Sequence, residues 1–242
     1  MIVFCLFVIL LIVLFFLSSR LKTTINQLLF SLTKSKSWSI SLFSLLFFPG
    51  TVIHELSHFL IASLLLVPVS NLELVPKIAD NGKIRLGSVQ IAKVDFLRRT
   101  IIGIAPLFAG LAVLWFITNN FLLESRLTQL FAVYRLPFTF SSLNYSITPL
   151  LDIFLPLYLI FTISATMFAS HKDMDAAKVV VPVLAILGVS AYIAGFRFEA
   201  VQQVLTQTSS IVGVVNNTLI VALLLQAGLW LLLRLVLTFS FF

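Results

Sequence analysis

His54-Glu55-Leu56-Ser57-His58 carries the residue types and the spacing of a metal centre. On a helix, two histidines four residues apart stand one turn above another on the same face. Both imidazoles can then reach one tetrahedral ion, and the glutamate beside them can poise a water on it. From Ile40 to Val67 these three are the only ionisable side chains in a run of almost pure hydrocarbon. An ionisable group at bilayer depth costs on the order of 2.5–3.5 kcal/mol, so its default reading is functional.

Zinc in a catalytic site takes three protein ligands and keeps one position for water. The chain has three histidines and one cysteine, Cys5, so neither an internal disulfide nor a cysteine-rich site is available. The third histidine lies in the polar cluster Ala169-Ser170-His171-Lys172-Asp173-Met174-Asp175, between two apolar stretches. Asp173, Asp175 and His171 are all competent ligands, with Asp173 the leading candidate; Glu124, Asp152 and Glu199 stand further back. Ser170 and Asp173 also have the spacing of a capping box, a structural use for the same residues.

The elements that must position these groups are membrane spans. Hydrophobic residues make up 60% of the 242, and the mean hydropathy is +1.12. That composition excludes a soluble globular domain. Stretches long enough to cross a bilayer fall near 1–18, 40–67, 100–118, 147–169, 177–196 and 214–239. The expectation is one polytopic, all-α membrane domain over 1–242, with about six transmembrane helices and the metal-bearing core in 40–175. The first stretch lacks a basic start and a small-residue cleavage site, which favours an anchor over a signal peptide. The net charge of +7 sits between the apolar stretches, where lipid headgroups account for it and nucleic acid does not. A linker over 19–39 carries Arg20, Lys22, Lys34 and Lys36, and one over 68–99 carries six more basic residues. With one span between them these linkers face opposite sides, so the positive-inside rule assigns no orientation.

Local signals refine the layout. Pro49-Gly50, one turn before His54, predicts a break or kink that would admit water. Asp80-Asn81-Gly82 is a tight-turn signal, and Leu72, Leu74, Ile84 and Leu86 alternate around it. Together they predict a β-hairpin over about 70–91, with Gly87 a candidate bulge and the strand edge a candidate seat for extended peptide. Residues 119–146 read as an interfacial or re-entrant piece, and 197–213 as a connecting loop or helix end. Thr51, Ser57, Asn144 and Thr166 are the polar neighbours that could donate to an oxyanion, each with helix packing as the commoner use.

The intramembrane HExxH, the later aspartate and Arg98-Arg99-Thr100-Ile101-Ile102-Gly103-Ile104-Ala105-Pro106-Leu107 between them resemble the site-2 protease family of membrane-embedded zinc metalloproteases. The resemblance covers about 40–175, with Ala105-Pro106-Leu107 similar to that family's Ala-Gly-Pro-Leu element. The usual Asn-Pro and Leu-Asp-Gly pattern around the aspartate is absent, and there is no PDZ-sized insertion. The resemblance implies Zn2+ as cofactor, His54, His58 and Asp173 as metal ligands, and Glu55 as the catalytic glutamate. It also implies a transmembrane or membrane-associated protein substrate within the lipid bilayer. Two rivals are a membrane-anchored gluzincin-like protease with a glutamate as third ligand, and a non-catalytic scaffold or transporter. The single HExxH and the lack of paired half-repeats count against a transporter.

Overall fold

A computed structural model of the chain describes residues 2–73, 77–78, 84–85, 87–92, 94–121, 148–168, 190 and 199–239. Five long helices dominate: α1 (Ile2–Thr33), α2 (Lys36–Leu64), α3 (Phe96–Phe121), α4 (Thr148–Thr166) and α5 (Glu199–Phe239). Four are long and apolar enough to cross a bilayer, over Val3–Thr33, Lys36–Leu64, Phe96–Asn120 and Thr206–Thr238. A shorter apolar stretch, Phe154–Thr166, lies in α4. These features mark a membrane protein. The expected count of six spans is not reached among the described residues, and the stretch 177–196 falls almost wholly outside them.

One expected linker, 19–39, is instead largely helical. The first span does not stop at residue 18 but runs on through Arg20 and Lys22 to Thr33. No proline or glycine interrupts 19–33, and the Thr23, Thr24 and Thr33 hydroxyls donate to carbonyls one turn back, at 2.8–3.0 Å. Lys34, at φ 49, closes the helix, and α2 begins two residues later. For 197–213, expected as a connecting loop or helix end, the helix end holds from Glu199 onward, where α5 begins. Ser209 and Ser210 there donate to the Thr206 and Gln207 carbonyls, so a polar composition is accommodated within the helix.

Between membrane helices there is little hydrophobic driving force, and close approach of backbones does the work. α2 packs against α3 and α4, α3 against α4, and α1 against α2 and α5. A Cβ at Gly50 of α2 would strike Thr166 Oγ1 and the Thr162 carbonyl of α4, so this glycine sets the α2–α4 distance. Of the break or kink expected at Pro49-Gly50, a break is not seen: α2 runs as one helix from Lys36 to Leu64. Proline is tolerated in a membrane helix when neighbours serve the loosened backbone. Here the Tyr158 hydroxyl of α4 donates to the Leu46 carbonyl at 3.0 Å. Gly110 of α3 packs in the same manner on Met167. One apolar core gathers Leu14, Leu114, Ile160, Ile163, Met167 and Leu219; a second gathers Leu21, Phe43, Phe47 and Phe161.

The predicted hairpin is present. Strand β1 (Val69–Glu73) pairs antiparallel with β4 (Ser88–Ile91), and β2 (Lys77–Ile78) with β3 (Ile84–Arg85); the Asp80-Asn81-Gly82 turn lies outside the described residues. The register shifts between Val69 and Asn71, which places one irregularity at Ser70 on β1; residue 86, next to the expected bulge at Gly87, lies outside the described residues. The hairpin is launched by a tight helix ending. Leu66 takes φ 56, its N–H reaches the Ser63 carbonyl at 3.0 Å, and the Val67 N–H reaches Ala62 at 2.9 Å. This is the Schellman pattern, and its usual apolar contact is also present, since Val67 and Ala62 share a buried cluster with Ile102. The chain then re-enters the membrane region at α3, whose first turn is capped by the Asp95 carboxylate accepting from the Arg98 N–H at 3.1 Å.

Candidate metal centre

His54, Glu55 and His58 all lie on α2, in the part of the helix flanked by α3 and α4. Glu55 and His58 are buried, at 8% and 7% exposure, and His54 is half-buried. The two imidazole centroids are 4.9 Å apart with their planes at 82°. Zn–N bonds of about 2.0–2.1 Å with tetrahedral angles put two ligating rings roughly 5 Å apart, so the spacing fits one shared ion.

The bonds made by the other ring nitrogens are more informative than the spacing. His54 Nδ1 is 2.8 Å from the Thr166 carbonyl oxygen, and His58 Nδ1 is 2.8 Å from the Ile102 carbonyl oxygen. A carbonyl oxygen only accepts, so each ring must carry its proton on Nδ1. In the neutral imidazole that places the lone pair on Nε2 for both histidines. Donation of one ring N–H to a backbone carbonyl, orienting the other nitrogen, is the common second-layer arrangement of zinc-bound histidine. The residues present therefore fit a zinc ion through His54 and His58.

Both accepting carbonyls come from places where a helix cannot use them. Thr166 is the last residue of α4, and the last carbonyls of a helix lack intrahelical donors. Ile102 precedes Pro106 by four residues in α3, and proline has no N–H to return. Neither relation follows from the motif alone. The second is visible in the sequence only to a reader who already knows which helix faces His58.

Above Glu55 lies the hairpin. A Cβ at Gly87, just before β4, would stand 2.6 Å from Glu55 Cγ and 2.9 Å from Oε1. The glycine thus gives the backbone its close approach to the carboxylate. Of the four hydroxyl and amide candidates for an oxyanion donor, two are committed to their own helix. Ser57 donates to the His54 carbonyl at 2.6 Å, and Thr166 to the Thr162 carbonyl at 2.9 Å. Thr51 Oγ1 is buried without a hydrogen-bond partner, and Asn144 lies outside the described residues.

Asp173, Asp175 and His171 all lie outside the described residues, as does Glu124; Asp152 and Glu199 fall in helices α4 and α5. Among the described residues no group of three or more His, Cys, Asp or Glu side chains converges on a metal position. The centre is thus described on its two-histidine side. Comparison of the chain with protein-family models, with curated proteins and with solved structures finds no match to any of them.

Proposed function

We propose that this chain is a multi-pass intramembrane zinc metalloprotease, hydrolysing peptide bonds of membrane-embedded or juxtamembrane protein segments. The single observation that carries the reading is the pair of Nδ1–carbonyl bonds, which fixes both histidines of an intramembrane HExxH in the metal-ligating tautomer. His54 and His58 would hold the zinc with Asp173 as third ligand. When bound, zinc lowers the pKa of a coordinated water toward about 7 and polarises a carbonyl. Glu55 accepts the proton of the attacking water and later delivers it to the leaving amine. Its burial beneath Gly87 limits competing water at the carboxylate. A transmembrane substrate helix has its carbonyls bonded internally and must unwind locally before attack. The β1–β4 ribbon offers strand edges on which the unwound segment can pair.

The test uses the full chain in liposomes with a labelled single-span peptide. Glu55→Gln is expected to lower cleavage by at least about 10²-fold, as loss of a general base does, while zinc content stays near that of the wild type. Asp173→Ala is expected to lose both. Cleavage that survives Glu55→Gln would refute the proteolytic assignment, and zinc retained in Asp173→Ala would move the third ligand elsewhere.

A further inference from the structure

We propose that Pro106 is a positioning residue for His58: by withholding a backbone donor, it reserves the Ile102 carbonyl for the imidazole. The inference rests on the zinc-centre reading above for its consequence, but the bond it explains can be tested without metal.

In an α-helix each N–H is bonded to the carbonyl four residues earlier. α3 runs unbroken from Phe96 to Phe121, so the donor due to the Ile102 carbonyl is the nitrogen of residue 106. Proline has no hydrogen there, and its ring also crowds that carbonyl. The groups concerned are all buried: Pro106 is under 2% exposed, Ile102 3% and His58 7%. A buried carbonyl left without a donor is destabilising. His58 Nδ1–H meets that need at 2.8 Å. Helix and imidazole each supply what the other lacks.

At Pro49 of α2 the arrangement differs: the Leu46 carbonyl that accepts from the Tyr158 hydroxyl of α4 lies three residues before the proline, whereas the donor that Pro49 withholds is the one due to Leu45.

The alanine variant Pro106→Ala restores an N–H aimed at Ile102. The bond to His58 must then be shared or lost, and the ring is released to populate its other tautomer. Zinc affinity should fall about 10–100-fold, the usual cost of removing an outer partner of a ligating histidine. Replacing residue 106 with lactic acid, the α-hydroxy analogue of alanine, removes the proline ring but restores no donor. That variant should behave as the wild type. The difference between the two reads the donor alone, since both have lost the ring.

The experiment is nitrogen-15 NMR of histidine-labelled, metal-free full chain in detergent micelles, with His58 assigned by its loss in His58→Gln. Zinc titration of the same samples follows. Expected are a single Nδ1–H tautomer for His58 in the wild type and the lactic-acid variant, and a mixture with weakened zinc binding in Pro106→Ala. The proposal is overturned if Pro106→Ala keeps the Nδ1–H tautomer with zinc affinity within about twofold of wild type. It is equally overturned if the lactic-acid variant loses the tautomer. A wild type that binds no zinc but shows the expected tautomers would remove the metalloprotease reading and leave the role of Pro106 standing.

Discussion

Among the described residues, two polar clusters that join helices are built on opposite principles. The first joins α1, α4 and α5. Ser18 donates to the Gln226 side-chain oxygen at 2.9 Å, the Gln226 amide donates to Ser164 at 2.9 Å, and Ser164 donates on to the Phe161 carbonyl at 3.1 Å. All three side chains are at most 1% exposed and all are neutral. The second joins α2 to α3 and α4 through His54 and His58, whose Nδ1 atoms are held by backbone carbonyls. In the first cluster side chains satisfy one another, and the product is helix–helix adhesion. In the second the backbone orients ionisable side chains, and the product is a defined tautomer and direction. Polarity within lipid therefore does not by itself signal chemistry. What separates the two is which atom is held and which is thereby presented.

The contrast can be broken from either side. The largest change outside the motif itself is expected at Gly87→Ala. Its Cβ would press on the Glu55 side chain, and misplacement of a catalytic group by about 1 Å can cost on the order of 10²-fold in rate. Cleavage in liposomes should fall by about 10–100-fold while zinc content is unchanged. Gly50→Ala comes next, because its methyl would wedge α2 from α4 against the turn that ends at Thr166. Overpacking of this kind costs about 1–3 kcal/mol, and thermal unfolding in detergent should report it together with weaker zinc binding as the His54 bond lengthens. Gln226→Leu is expected to do least to the chemistry. It should lower stability by about 0.5–2 kcal/mol and leave zinc content and cleavage at wild-type levels. Loss of zinc in Gln226→Leu would show that the two clusters are not separable.

Much of this was legible in the residues. The HExxH spacing placed His54 and His58 on one helical face, and Asp80-Asn81-Gly82 flanked by alternating leucine and isoleucine announced the hairpin. Helix boundaries were less readable. Arg20 and Lys22 read as a linker, and the Gln/Thr/Ser run after 199 as a loop or helix end, because polar side chains in an apolar chain suggest an interface. In the fold, serine and threonine bond back within the helix and no breaker ends it. Gly87 and Pro106 were singled out, but as a bulge and as part of a family-like element. Their roles depend on which neighbour each one faces, a tertiary fact without a local signature. At Pro49-Gly50 the helix continues unbroken, and Gly50 gives α2 its close packing on α4.

On the proposed zinc reading, His54 and His58 present a shared metal-binding face, whereas the Gln226 cluster does not. The most direct test is zinc per chain, by mass spectrometry of the detergent-purified full chain, for wild type, His58→Ala and Gln226→Leu. Close to one zinc is expected in wild type and in Gln226→Leu, and almost none in His58→Ala. Zinc absent from the wild type, or retained in His58→Ala, would contradict that reading.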